Sequence, residues 1–243
     1  MADSLLAWIV GGSRGIGFAC AEALAREGCK IAISGRNEKT LREALRLIAA
    51  HQKVPSLPHL LSVPCDITQE SDVKSGYKNI LDHFGAVPDV LINSAGISPW
   101  NTFSETSIEE FDQVIAINLR GMFLTSHAVL ADMYARGSGT IVQLLSVASI
   151  KGYKHGAAYV ASKYGARGLT NTLREEAREH GVRVIGIIPG ATETEIWHDD
   201  QRKKYHDRMM QPEDIAHAIV AALRLPSRAV MEEIILRPVQ GDI

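Results

Sequence analysis

Cysteine is scarce in this chain, with three among 243 residues. Cys20, Cys29 and Cys65 are unevenly spaced, and each sits in an apolar segment. That pattern excludes a disulfide framework and reads as reduced, buried thiols of a cytoplasmic protein. The nine histidines are scattered, with no HxxxH or CxxC arrangement, so no metal site is expected. Charge of one sign is equally scarce. A formal net charge of −2 gives no reason to expect nucleic acid or an anionic membrane as partner. No uninterrupted apolar run reaches the ~18 residues of a membrane span, and Met1–Ala7 lacks the basic start and cleavage site of a signal peptide. Repeats, low-complexity tracts and charge blocks are absent as well. Apolar content is not lacking: 46% of the residues are hydrophobic, ample for a core. The length admits one large α/β domain or two small ones.

Short apolar runs alternate with segments of helical period. Leu5–Val10 is a strand candidate, followed by Gly-Gly-Ser-Arg-Gly-Ile-Gly and then by a helical segment that closes on Gly28. Strand, glycine turn and helix are the opening of a dinucleotide fold. Gly11 permits the tight turn, Gly15 lets the backbone approach a pyrophosphate, Gly17 lets helix pack on strand, and the helix N-terminus receives the phosphate charge. Further strands are expected at Lys30–Ser34, Leu60–Cys65, Asp89–Asn93, Thr140–Leu145, Val182–Ile188 and Glu232–Leu236. Helices are expected over Asn37–Gln52, over 69–84 with Thr68 as cap, from the Ser107–Glu110 capping box to residue 136, around Tyr159, and from Pro212. Val54–His59 is a proline-containing loop too short to link domains. This order predicts an α/β fold: one doubly wound, Rossmann-type domain over 1–243, with a seven-stranded parallel sheet flanked by helices and a polar lid at about 191–211.

In such a sheet ligands sit beyond the carboxyl ends of the strands. An acid after the second strand would bind a ribose 2′-hydroxyl, whereas arginine accommodates a 2′-phosphate. The sequence there is Ser34-Gly35-Arg36, with no acid. Arg36 and Arg14 bring fork-shaped donors, and Ser13 and Asn37 add hydrogen-bonding groups, which favours NADP(H) over NAD(H). Asp66, beside Ile67, serves either an adenine edge or an Asx turn. The end of the fourth strand, Asn93-Ser94-Ala95-Gly96, forms a second wall of the cofactor site. Asn118 lies in the apolar part of a long helix, where asparagine competes for backbone groups. It marks a local distortion, a polar task or a satisfied core residue. Ser146 falls at the end of the fifth strand. On a helix, Tyr159 and Lys163 share a face one turn apart, where a cation favours the phenolate and suits the tyrosine to acid–base work. The alternative for that pair alone is a solvated i,i+4 contact.

Taken together these segments resemble the short-chain dehydrogenase/reductase family over nearly the whole chain. The family's TGxxxGxG stands here as Val10-Gly11-Gly12-Ser13-Arg14-Gly15-Ile16-Gly17, and its NNAG as Asn93-Ser94-Ala95-Gly96. Its helix asparagine falls on Asn118, its serine on Ser146, its YxxxK on Tyr159 and Lys163, and its PG segment on Pro189-Gly190 with Thr194 following. Val10, Ser94 and Thr192 depart from the family's usual residues, and a backbone contact at Thr192 survives the change. The resemblance implies that Tyr159 exchanges a proton with the substrate oxygen, that Ser146 hydrogen-bonds that oxygen, that Lys163 holds the nicotinamide ribose and depresses the Tyr159 pKa, and that Asn118 keeps a relay water. It also implies a substrate pocket built by the loops after strands four and five and by the lid, which here offer Ser98, Trp100, Tyr153, His155 and Trp197, residues that otherwise serve plain packing. Lys151, Lys154 and His155 form a rim. The C-terminal part, MMQPEDIA and EEIILRP, resembles bacterial sepiapterin-reductase-like members. The activity so implied is NADP(H)-dependent hydride transfer between nicotinamide and a small carbonyl or alcohol substrate, as in a carbonyl or sepiapterin-like reductase or an alcohol dehydrogenase. A 3-oxoacyl thioester reductase is the runner-up. A non-catalytic dinucleotide-binding regulator is disfavoured by the presence of both Tyr159 and Lys163. A homodimer or homotetramer is expected, because the Tyr159 helix is apolar on more faces than one sheet contact would use.

Overall fold

The computed structural model describes residues 5–50 and 59–243. The loop expected at Val54–His59 lies, apart from His59, outside the described residues. Strand β1 (Leu6–Val10) is buried at every position. Alternation along the strand divides its side chains between two cores. Ala7 and Ile9 join a cluster on one face of the sheet, and Leu6, Trp8 and Val10 join another on the opposite face. A strand buried on both faces needs a continuous apolar run, which is what LAWIV supplies. The one polar side-chain atom in that run, the Trp8 indole nitrogen, donates to Ser34 Oγ at 3.0 Å.

The same logic repeats along the chain: α1 (Gly15–Arg26), β2 (Lys30–Gly35), α2 (Glu38–Ala50), β3 (Leu60–Pro64), α3 (Glu70–Phe84) and β4 (Val90–Asn93). After β4 come α4 (Ile108–Ile115), a π-helical turn over Ala116–Arg120, α5 (Gly121–Arg136) and β5 (Gly139–Leu144). The chain ends with α6 (Ala157–Arg178), β6 (Val182–Pro189), α7 (Asp199–Tyr205), α8 (Pro212–Leu223) and β7 (Glu233–Leu236). The strands form one parallel sheet in the order β3-β2-β1-β4-β5-β6-β7. Helices α1, α2 and α8 cover one face, and α3, α5 and α6 the other. The architecture is therefore the single doubly wound domain expected. Strand order reverses between β1 and β4, and this switch point opens a crevice at the carboxyl edge.

Several local expectations change. The long helix after Ser107 opens with the expected cap, Ser107 Oγ accepting from the Glu110 amide at 3.0 Å, but it is broken by the π turn around Asn118. The helical run Ile108–Arg136 is long and apolar enough, by length and composition, to cross a membrane. Half of its most apolar window is buried here, and Val129 and Met133 pack fully under the sheet. Thr68 does not cap α3: its hydroxyl and amide both bond Asp66 Oδ1, at 2.8 and 3.0 Å, and Gln69 occupies the cap position. The polar stretch after β6 holds α7, which sequence periodicity did not show. Its two ends meet in a bridge between Thr192 and Met210.

Candidate active site

The crevice at the carboxyl edge holds a cavity of about 1070 Å³. Ser146 enters it because β5 ends at Leu144 and the chain turns sharply into a short 3-10 segment. Ser146 itself caps that turn, Oγ accepting from the Ala148 amide at 3.1 Å. Tyr159 and Lys163 enter from the first turns of α6. Ser146 and Tyr159 face the same space, and the Ser146 hydroxyl is the neighbour that favours the Tyr159 phenolate. Burial pushes the Tyr159 phenol above its usual value, and the nearby Ser146 hydroxyl offsets this only in part. The expected depression by Lys163 is therefore not what the geometry gives. The ammonium lies 5.8 Å from the Tyr159 ring centroid and is directed to the Leu144 carbonyl, which it meets at 2.7 Å. Burial brings Lys163 itself down to about 8, so its charge is adjustable near neutral pH.

Asn118 lies behind this group rather than in the cavity wall, and it is buried to 1% exposure. Its Oδ1 accepts from the Ile97 amide at 2.9 Å, while its Nδ2 donates to the Ile97 carbonyl at 2.8 Å and to Ser162 Oγ at 3.1 Å. The side chain is fully engaged in pinning the loop after β4 to α6. The π turn supplies the local geometry that lets an asparagine face sideways out of a helix.

The other half of the cavity lies over the glycine turn. Ser13, Arg14, Gly15 and Ile16 line it with Gly11 from the first turn, and Arg36, Asp66, Ile67, Ala95 and Gly96 from the following strand ends. Pro189, Gly190, Thr192 and Thr194 line it from the end of β6. At Gly17 a Cβ would come 2.3 Å from the Gly11 carbonyl oxygen, so the turn closes tightly on the start of α1. The position before α1, Arg14, has no side-chain cap bond, which leaves the amides of the first turn directed at the cavity. Both arginine side chains are exposed, and neither has a hydrogen-bond or ion-pair partner among the described residues. A cradle of free amides with two unengaged guanidinium groups at one end fits a dinucleotide carrying an extra phosphate.

Three residues expected to bind cofactor do not line the cavity: Gly17, which packs, and Asn37 and Asn93. The Asn37 side chain accepts from the Thr40 amide at 3.2 Å, an N-terminal contact of α2. Asn93 is buried in the sheet, donating to Gln143 Oε1 at 3.0 Å and Ser126 Oγ at 3.2 Å and accepting from Thr125 at 2.7 Å. Asp66 makes its Asx turn and also lines the cavity.

Ser98, Trp100, Tyr153 and Trp197 all border the remaining space, with Lys154 at its edge; Lys151 and His155 do not. Asp242 and Ile243 also line the cavity, brought there by the segment that follows β7. No motif announces them. An acid among aliphatic and glycine residues near the end of the sequence carried no spacing to read.

The sequence model described as short chain dehydrogenase matches residues 6–205. A curated relative, sepiapterin reductase of Chlorobaculum tepidum, is 40% identical over 184 residues, 75% of this chain and 74% of the relative. Among solved structures, an alcohol dehydrogenase from the archaeon Thermococcus sibiricus, complexed with 5-hydroxy-NADP, superposes with a TM-score of 0.87 at 30% identity over 99% of both chains. An actinorhodin polyketide ketoreductase with NADPH gives a TM-score of 0.88 at 27% identity, covering 100% of this chain and 99% of that one. The chain belongs to the short-chain dehydrogenase family.

Proposed function

We propose that this short-chain dehydrogenase is an NADP(H)-dependent reductase of small carbonyl compounds, of the sepiapterin-reductase-like kind. The observation that carries the reading is the convergence of Ser146, Tyr159 and Lys163 on one cavity whose far end presents Arg14 and Arg36, which have no partner among the described residues. The cofactor, when bound, supplies or accepts the hydride. The first-turn amides of α1 would hold its pyrophosphate, Arg14 and Arg36 its 2′-phosphate, and Lys163 its nicotinamide ribose. Tyr159 donates the proton to the substrate oxygen in reduction and removes it in oxidation. Burial keeps that phenol protonated at neutral pH, which suits it to act as the acid. Ser146, beside Tyr159 on the same cavity, donates to the same oxygen as charge develops there. Asn118 holds the Ile97 loop that forms the wall facing this pair.

Residues 191–211 act as a lid, with Trp197 on its inner side, and Trp100 and Tyr153 form aromatic walls suited to a flat carbonyl compound. The exposed aromatic side chains Phe123 on α5 and Tyr164 on α6 support a homodimer or homotetramer, which light scattering of the purified protein would measure. A second reading, 3-oxoacyl thioester reduction, is favoured by the likeness to the polyketide ketoreductase. Parallel assays with NADPH and NADH on pterins, diketones and acyl thioesters separate the two. Ser146→Ala should lower kcat by about 10²–10³, as loss of one oxyanion donor does elsewhere, and Tyr159→Phe should lower it further. Near-normal turnover by Tyr159→Phe, or a clear preference for NADH, would overturn the proposal.

A further inference from the structure

Asp242 is tied to both loops that flank the cavity mouth. Its Oδ2 accepts from the Tyr153 hydroxyl and from the Lys151 ammonium, each at 3.1 Å. Its backbone carbonyl accepts from Arg208 Nη2 at 3.1 Å, at the end of the segment that carries Trp197. Arg237 lies 3.5 Å from its other carboxylate oxygen. Only 19% of the Asp242 side chain is exposed. The contacts continue inward. Tyr153 meets Trp100 edge-on, with centroids 6.2 Å apart and planes at 87°. Trp100 in turn lies tilted against Tyr159 at 5.9 Å. The Trp100 indole nitrogen donates to Ser98 Oγ at 2.8 Å. Its ring presses on Gly156 so closely that a Cβ there would come within 2.8 Å of it. Trp100 is thus held by two rings, one hydrogen bond and a bare backbone. Of these supports, the Tyr153 ring is the one anchored by the segment that follows β7.

We propose that Asp242 and Tyr153 are positioning residues: their hydrogen bond sets the tilt of the Trp100 indole, and so the wall against which a substrate carbonyl is presented to Tyr159. The inference rests on the reading of Tyr159 as the proton donor. The bond is well suited to the task. Burial and Asp242 raise the Tyr153 phenol to about 12, so it remains a donor across the working range. The Asp242 carboxyl is held below its usual value, because its bonds from Lys151 and Tyr153 and the nearby arginine outweigh the effect of burial. A phenol donating to a carboxylate is a charge-assisted bond, stronger and more directional than a neutral one. An aromatic wall displaced by an ångström misaligns the reacting atoms, an error that costs up to about 10²-fold in rate.

The test joins kinetics with a readout that needs no substrate. The protein has three tryptophans, so 5-fluorotryptophan labelling gives three fluorine resonances, of which Trp100→Phe identifies one. In Tyr153→Phe and in Asp242→Ala the Trp100 resonance should move while that of the core residue Trp8 stays. With NADPH and an aryl methyl ketone or a ketone-bearing pterin, each variant should lose about tenfold in kcat/KM, with the KM for NADPH changed by less than about twofold. The double variant should be no worse than either single one, because the two side chains act as one unit. Asp242→Asn, which keeps an acceptor for Tyr153, should recover most of the loss. An unmoved Trp100 resonance, or losses that multiply in the double variant, would overturn the proposal. A loss confined to the pterin with Trp100 unmoved would also overturn it and place the carboxylate directly on substrate. Tyr159→Phe run alongside separates the two levels: if it keeps turnover, the proton-donor reading fails, whatever the fluorine spectra show.

Discussion

Two side chains show how much a single atom decides in this site. At position 17 there is no room for a methyl group, since it would meet the Gly11 carbonyl oxygen at 2.3 Å, and backbone on both sides cannot yield. Gly17→Ala should therefore open the first turn, weaken NADPH binding measured by fluorescence titration, and lower the thermal midpoint. Asn118 is the second case. Its amide satisfies both backbone groups of Ile97, and burial makes each unsatisfied group cost about 1–3 kcal/mol. Asn118→Ala should thus be destabilised by a few kcal/mol in urea denaturation and should speed hydrogen exchange at the Ile97 amide. Activity lost with stability and that amide's protection retained would show that Asn118 does its work elsewhere. At this scale the sequence was legible where spacing constrains the backbone. The glycine turn and the Tyr159–Lys163 face are of that sort. It was not legible where a rotamer decides. Asn93 and Asn37 stand at ligand-side positions, yet their amides satisfy buried neighbours and a helix end. Lys163 was read as the group that lowers the Tyr159 pKa, but its ammonium faces the Leu144 carbonyl.

Among the elements, the strands were read within a residue or so because a strand buried on both faces has to be a continuous apolar run, and few other segments here are. The break at residues 116–120 was signalled by an asparagine in an apolar helix, although not its π form. Helix α7 was missed for the opposite reason: it buries none of its side chains, so it has no apolar period to detect. Polar contacts hold this segment beside the buried Ala191 and Met209 at its ends. Glu193 accepts from Gln211 at 2.9 Å, its carboxylate meets the His206 ring at 2.7 Å, and its amide bonds the Met210 carbonyl at 2.8 Å. These contacts close the two ends of 191–211 like a clasp, beside the backbone bond from Met210 to Ala191. Glu193→Ala should loosen the segment without unfolding the domain. Exchange of the amides between Trp197 and Tyr205 should quicken a few-fold, in keeping with the ~1 kcal/mol or less that exposed pairs supply. The global denaturation midpoint should hardly move. Equal acceleration across α7 and the strands would mean that the segment does not open as a separate unit.

On the scale of the whole molecule, the buried ionisable groups make stability depend on alkaline pH in two opposed stages. Burial raises Cys20, Cys29 and Cys65 from 9.0 to about 12, 11 and 12, with nearby carboxylates adding to the effect at Cys29 and Cys65. Burial and the Asp242 contact raise Tyr153 from 10.0 to about 12. Lys163 moves the other way, from 10.5 to about 8. Between about pH 8 and 10.5 the unfolded chain keeps the Lys163 proton that the folded protein has released, so this group makes stability rise with pH. Above about pH 9 the unfolded chain has lost thiol protons that the folded protein still holds, and stability falls. Three thiols and the phenols that burial raises, Tyr153 with Tyr77, Tyr134 and Tyr159, outweigh one lysine. The urea midpoint should therefore climb slightly above pH 8, pass a maximum near pH 9, and then descend steeply towards pH 11. Lys163→Met should abolish the climb and keep the descent. Cys20→Ala with Cys65→Ala should flatten the descent and keep the climb, whatever the two changes do to stability at pH 7. A midpoint that falls with the same slope in the double cysteine variant as in the wild type would show that the thiols do not govern the alkaline limit.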